Sequence, residues 1–479
     1  MLRCIFEEEP AAIWDEMPSY HRQDACATKI ISQTMKGEAT DMRVPKIVLI
    51  GVGSHSFGLM TVRDLMQCLE LRGSHLALVD IDEGKLDLMT RLVRRLNQTW
   101  EAGFEISSTT DRCEALPGAN IVVVSIERRR YEMWRLDIEI PLKHGIPNLY
   151  GENGGPGGMF HTFRQVPPML KIARDMERLC PDAWLVNMSN PESRLCLALH
   201  RYSKVKNVGV CLGAYITQNN LARKVLGLNQ NDIDIKAAGI NHCHWVMDIR
   251  RTGTGEDLYP QVRSKIKSLE PEWEPLSREC LRRFGYYPGP ADNHVAEYLG
   301  WGWKFMPPGY TDGIIRAGTA SKERKSEQDA RLDALASGEG PIDPDGLREL
   351  MIEGGLKWQT LDIILSLLDN GNRYILSLNV PNDGYITNLK QDAIVEIPAI
   401  VGADRIYGLG MGALPTSIAA VLELQLHIMD LVVEAAVTGD RKTAMEALII
   451  DPTVPDPMTA EKILDEMLLA QAELLPQFR

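Results

Sequence analysis

The chain reads as an α/β protein, a doubly wound parallel sheet followed by an α+β region. Three observations predict this. Short apolar runs alternate with helical periodicity from Lys46 to Cys211, the pattern of strands buried on both faces and their crossover helices. A Gly51-x-Gly53 turn follows the first run. A glycine-rich stretch at 151–158, Gly-Glu-Asn-Gly-Gly-Pro-Gly-Gly, reads as a loop at the strand ends, where ligands bind in such sheets.

Residues 1–43 are polar and of mixed charge. They read as an N-terminal extension, with Met42 as the start of the ancestral domain; a native short helix is the competing reading. Lys46–Ile50 is an apolar strand, and Leu59–Leu71 a helix. A second strand, His75–Val79, ends at Asp80 and leads into a helix from Glu83 to Trp100. Further strands fall at Ala119–Ile126, Ala183–Val186 and Asn207–Cys211. Residues 44–206 are thus expected to be a Rossmann-like domain, and 207–479 an α+β domain for substrate, metal and oligomerisation. In the latter, Ala237–Trp245 and Trp245–Arg250 suggest strand, and 257–330 is mixed and loop-rich. Leu356–Leu368, Leu414–Val437, Lys442–Ile449 and Thr459–Leu475 read as helices.

The chain has 479 residues and a formal net charge of −13, which argues against nucleic acid or an anionic membrane as partner. No apolar run reaches the ~18 residues of a membrane span. Glu7, Glu8 and Glu9 directly follow Phe6 and leave no apolar signal core. Nine cysteines lack a framework spacing and read as reduced thiols, so a cytoplasmic protein is expected.

A glycine turn after a buried strand lets backbone approach a pyrophosphate at a helix N-terminus. Gly51, Gly53, Ser54 and Phe57 form that turn, with Ser56 where a third glycine is usual. Asp80 stands where a carboxylate accepts ribose hydroxyls and repels a 2′-phosphate, which favours NAD over NADP. Another cofactor of the same fold type, such as S-adenosylmethionine, is the competing reading. Further on, Val208-Gly209-Val210-Cys211 and Gly239-Ile240-Asn241-His242 each end in a soft metal ligand. They lie 31 residues apart, which is no zinc-finger spacing. Packing is the bland alternative for each; on a strand His242 would share a face with His244, which reads as structural. Asn187-Met188-Ser189-Asn190-Pro191 ends another strand and would present Asn190 in the crevice, or else form a simple turn.

Together these residues resemble glycoside hydrolase family 4, the NAD- and divalent-metal-dependent glycosidases with a lactate/malate dehydrogenase type of fold. The likeness runs from about residue 44 to 475. Lys46–Gly58 resembles the family's cofactor loop, Asn187–Pro191 its Asn-x-Thr-Asn-Pro motif, and Cys211 with Asn241-His242 its metal pair. Phe284–Tyr298 resembles a second-domain active-site segment, and Leu378–Gly384 with Val395–Pro398 a late signature. The resemblance implies NAD and Mn2+ or another divalent cation. It implies oxidation of the sugar at C3, loss of the C2 proton, elimination of the aglycone, addition of water and re-reduction. It implies Asn190 and Asn153 as substrate contacts and Cys211 and His242 as ligands. The base is Tyr287 or Asp292, with Tyr286 competing. Leu212 stands where several branches carry a proton donor. The 154–158 loop with Arg164 resembles the uronide-cleaving branch, and Arg164 would grip a substrate carboxylate. A homodimer or homotetramer acting on a small α-glycoside is expected. The rival readings are a 2-hydroxy-acid dehydrogenase and a cofactor-binding protein that has lost catalysis.

Overall fold

A computed structural model describes residues 44–479 except 55–57, 148–149, 344–346 and 348–358. The expected Phe57 contact and the N-terminal extension lie outside the described residues. The parallel half of the sheet contains β1 (Lys46–Ile50), β2 (His75–Val79), β3 (Glu105–Thr109), β4 (Ile121–Val124), β5 (Trp184–Asn187) and β6 (Lys206–Gly209). Its strand order is β3-β2-β1-β4-β5-β6, the doubly wound order with β1 and β4 at the centre. β1, β2 and β4 are almost wholly buried and apolar. β3, Glu-Ile-Ser-Ser-Thr, is an edge strand with little burial. It was absent from the expectation because its composition carries no apolar alternation.

The sheet does not stop at the expected domain boundary. β10 (Arg373–Pro381) pairs antiparallel with β6, and the order continues through β11 (Ile394–Val401), β7 (Ile233–Ile240), β8 (Cys243–Arg251) and β9 (Tyr287–Gly289). β12 (Ile406–Gly408) flanks β11. β6 begins at Lys206 and belongs to the parallel half. One register row crosses nearly the whole sheet. It runs Val79, Ile50, Val124, Asn187, Gly209, Asn379, Glu396, Gly239, His244, Gly289.

The helices that position the site are α1 (Gly58–Met66), α2 (Glu83–Thr99), α3 (Arg130–Lys143), α4 (Gly155–Leu179), α5 (Glu192–Tyr202) and α6 (Gly213–Asn220). Asp82 caps α2 by accepting the N–H groups of Gly84 and Lys85. α4 starts inside the stretch expected to be irregular. Pro156 at its first turn has no N–H to lose. Its glycines are there for contact: a Cβ on Gly154 would lie 2.5 Å from the Glu297 carbonyl oxygen, and one on Gly158 2.4 Å from the Asn153 carbonyl carbon. Beyond these come α7 (Pro275–Phe284), α8 (Tyr310–Ala336), α9 (Thr360–Asp369), α10 (Thr416–Thr438), α11 (Arg441–Ile450) and α12 (Pro457–Ala470). α10 is long and apolar enough to cross a membrane by length and composition, but half of that stretch is buried within the protein. It packs on α4, α5 and α11.

Candidate active site

The candidate residues come from the ends of β1 and β6 and from the turn between β7 and β8. At the first junction, Gly51 has φ +85°, and a Cβ there would lie 2.0 Å from the Ser125 carbonyl oxygen. Only glycine fits this turn, which passes from β1 toward α1. Asp80 Oδ2 accepts the Gly53 N–H at 2.9 Å, and Oδ1 accepts the Asp82 N–H at 3.0 Å. The carboxylate thus ties the glycine turn to the end of β2 and keeps further lone pairs for a ligand hydroxyl. Ser54 accepts the Gly58 N–H through its carbonyl at 2.9 Å. A tight glycine turn beside an acid and leading to a helix fits a dinucleotide phosphate and ribose.

Cys211 lies two residues past the end of β6, and His242 lies in the turn between β7 and β8. The expectation of one continued strand there is corrected by this turn. His242 has φ +63°, so it leaves the pleat while His244 stays in it. Cys211 Sγ lies 3.2 Å from His242 Nε2. A thiol and an imidazole at this separation can both turn to one soft or borderline cation. Burial, then Glu192 and Glu396, push the Cys211 thiol well above its ordinary range. Burial also holds His242 well below its ordinary range, in the neutral form that ligates metals.

Asn153, expected as a substrate contact, uses its amide nitrogen within the chain. Its amide nitrogen bonds His242 Nδ1 at 2.7 Å and Glu152 Oε2 at 3.1 Å, so it orients the imidazole. Glu152, His242 and His294 each present a donor atom within 4.8 Å of the other two. Glu152 Oε1 also accepts from Arg130 Nη2 at 2.9 Å. The His294 ring stands 4.1 Å from that of His242 and 4.7 Å, edge-on, from that of Tyr150. Its buried Nδ1 has no hydrogen-bond partner among the described residues. Asn190 is half-buried and lies past β5, beside the Cys211 junction on β6.

Asp292 and Arg164 are engaged by other groups of the chain, while Tyr286 and Tyr287 sit in a secondary apolar cluster, the buried Tyr287 hydroxyl without a hydrogen-bond partner among the described residues. Asp292 accepts the N–H groups of Leu276 and Ser277, both at 2.7 Å, and so caps the first turn of α7. Tyr287 is 1% exposed in a secondary apolar cluster, its hydroxyl beside Ser277. Tyr286, the third contender for the base, packs against the same cluster. Arg164 gives Nη1 and Nη2 to the two oxygens of Asp137 at 2.9 and 2.6 Å, and Nη1 to Gln471 at 2.6 Å. A guanidinium so engaged and only 3% exposed faces its own fold and not the crevice solvent. From the 284–298 segment it is His294 whose ring reaches the Cys211–His242 pair. It was legible as part of Asp292-Asn293-His294, but nothing in the local sequence separates a capping residue from one that faces the crevice. Leu212 is buried at the start of α6 and cannot hold a proton.

Residues 46–227 match the model of the Family 4 glycosyl hydrolases, and 237–454 that of the Family 4 glycosyl hydrolase C-terminal domain. An alpha-glucosidase of Erwinia rhapontici is 31% identical over 89% of this chain and 98% of its own. An alpha-galactosidase of Rhizobium meliloti is 30% identical over 90% and 89%. In three dimensions the chain is similar to a 6-phospho-alpha-glucosidase from gut microorganisms, solved with NAD and Mn2+. The TM-score is 0.77 at 22% identity, covering 91% of this chain and 100% of that one.

Proposed function

The chain belongs to glycosyl hydrolase family 4, and from that premise we propose that it cleaves a neutral α-hexoside with NAD+ and a divalent cation. The observation that carries this is the Cys211–His242 pair at 3.2 Å with the His294 ring 4.1 Å from that of His242. A plain 2-hydroxy-acid dehydrogenase would have no use for a thiol–imidazole pair at this place. The relatives that are an alpha-glucosidase and an alpha-galactosidase support the hexoside class. The commitment of Arg164 to Asp137 removes the cation expected for a uronide carboxylate.

A bound dinucleotide would supply hydride transfer at the sugar, and a divalent cation, Mn2+ in this reading, would be held by Cys211 and His242 and would stabilise charge developing beside it. The chain's own residues do the rest. Gly51, Gly53, Ser54 and Asp80 bind and orient the dinucleotide. Asn153 fixes the His242 ring. Asn190 and Glu152 hold sugar hydroxyls, the latter kept in place by Arg130. His294, half-buried and with its Nδ1 unengaged, takes the proton from C2. The aglycone leaves without help from Leu212, so water protonates it and activated aglycones react best.

The same reading makes the protein a homo-oligomer of a reducing compartment such as the cytoplasm. Exposed Leu424, Ile449, Ile450, Met458 and Leu469 on α10–α12 support association, and the need for a free Cys211 thiol supports the compartment. Light scattering of the purified chain checks the first.

The deciding experiment is turnover of nitrophenyl α-glucoside, α-galactoside and α-galacturonide with NAD+, Mn2+ and thiol, each omitted in turn. Cleavage of a neutral hexoside that needs all three is expected, with deuterium from solvent entering at C2. Preference for the galacturonide overturns the substrate class. Steady NADH formation from an alcohol without metal overturns the glycosidase reading. His294→Gln should lose deuterium incorporation while still binding Mn2+; lost Mn2+ affinity would make His294 a ligand.

A further inference from the structure

The register row beneath the site changes character halfway across the sheet. In its second half it reads Asn187, Gly209, Asn379, Glu396, Gly239, His244, Gly289. Directly opposed residues share a face, so these side chains meet. The glycines clear their path. A Cβ on Gly209 would lie 2.5 Å from Glu192 Oε1, and one on Gly289 2.1 Å from Thr217 Oγ1 and 2.4 Å from His244 Nε2. Asn379, Glu396 and His244 are all buried.

Two hydrogen-bonded arms leave this row, one toward each half of the Cys211–His242 pair. In the first, Asn379 Nδ2 donates to Glu192 Oε1 at 2.7 Å, and Ser193 Oγ donates to Asn379 Oδ1 at 3.1 Å. The same Ser193 oxygen accepts the N–H of Asn241, the neighbour of His242, at 3.2 Å. In the second, Glu396 accepts from Ser377 at 2.6 Å and reaches past Gly239 to His244 Nδ1 at 3.2 Å. His244 Nε2 shares a 3.0 Å bond with Thr217 Oγ1, which donates to the Gly213 carbonyl at 3.0 Å. Gly213 N–H in turn donates to Cys211 Sγ at 3.3 Å. Buried polar groups cost free energy that an apolar residue of equal shape would avoid. Packing alone therefore gives no reason for two such arms to end on the two candidate ligands.

We propose that Asn379 and Glu396 are positioning residues that fix the Cys211–His242 geometry for a divalent cation, through Ser193 and through His244–Thr217. This rests on the reading that the cation binds that pair. It gives a task to the Leu378–Gly384 and Val395–Pro398 segments, which the sequence singles out without one.

The test uses the full chain stripped of metal. Mn2+ affinity is read by paramagnetic resonance, and Co2+ binding by the thiolate-to-cobalt absorption band. Ser193→Ala and Thr217→Val cut the arms with little change of volume. Each is expected to weaken Mn2+ binding by about 10–100-fold and to shift the cobalt band, with NADH affinity unchanged. Glu396→Ala should do the same, and Glu396→Gln, which keeps an acceptor for Ser377, should restore most of the loss. Asn382→Ala is the structural control, since that side chain holds only the turn backbone at Ile386, Leu389 and Lys390. It should lower Tm and leave the band in place. Folded Ser193→Ala and Thr217→Val proteins with wild-type Mn2+ affinity and an unshifted band overturn the proposal. A wild-type protein without the band, or a Cys211→Ser protein that keeps it, overturns the metal reading itself.

Discussion

The two halves of the sheet solve different problems with the same row of residues. On β2, β1 and β4 of the parallel half that row is Val79, Ile50 and Val124, all apolar and buried, before it turns polar or small at Asn187 on β5 and Gly209 on β6. In the antiparallel half it is Asn379, Glu396 and His244, separated by Gly239 and bounded by Gly289. A dinucleotide is held by backbone at a glycine turn, and such a turn needs only a firm apolar floor. A cation is held by side chains, and side chains need neighbours that fix their angles. The difference teaches that the cofactor half is specified locally and the metal half over long range.

The comparison breaks most sharply at Cys211. Cys211→Ser should abolish glycoside cleavage, by about 10³-fold or more, because a cation stabilises charge by several kcal/mol. NADH binding should persist, as titrated by its fluorescence. A variant that still responds to Mn2+ would erase the division between the halves. The mirror variant is Gly51→Ala. Its Cβ would meet backbone at 2.0 Å from Ser125 oxygen, so NAD+ affinity should fall by at least ~10-fold while the cobalt band survives.

Arg164 sharpens the contrast from outside the site. Removing one partner of a buried ion pair costs about 3–5 kcal/mol. Arg164→Met should therefore lower the urea midpoint strongly, with KM for a neutral glycoside unchanged in the surviving folded protein. A raised KM that is specific to a galacturonide would return Arg164 to the site.

The smallest effect concerns pH. Glu297 accepts the N–H of Glu152 at 2.8 Å, and burial pushes its carboxyl up to about 8 from an ordinary 4.5. The folded form then holds a proton that the unfolded chain has lost. Stability from this group is full below about 4.5 and is lost as pH rises through about 8. Glu297→Gln should flatten the fall of Tm between pH 5 and pH 8; an unchanged slope would show that other groups carry it.

What the sequence made legible follows the same division. β1 and β2 were expected at their observed residues, because strands buried on both faces read as unbroken apolar runs. Gly51 and Gly53 form one turn of the chain, and Asp80, which ends the next strand, bonds that turn from 27 residues on. β10 and β11 went unread as strands, since polar Ser377, Asn379 and Glu396 interrupt them, and these are explicable only by partners far away in sequence. The sequence left Tyr286, Tyr287 and Asp292 in competition and did not single out His294, because which residue caps α7 and which faces the crevice is set by the fold. Spacing alone contains no such information.

The seam between β6 and β10 also has a consequence for how the protein is made. Gly209 and its partner Asn379 are about 170 residues apart, so β6 remains an open sheet edge while all of the intervening chain is synthesised. Every candidate ligand has left the ribosome by then, yet the floor that holds them has not. Nascent chains that halt before residue 381 should thus bind NAD+ without binding the cation. They should also expose an unpaired strand that invites association with other chains.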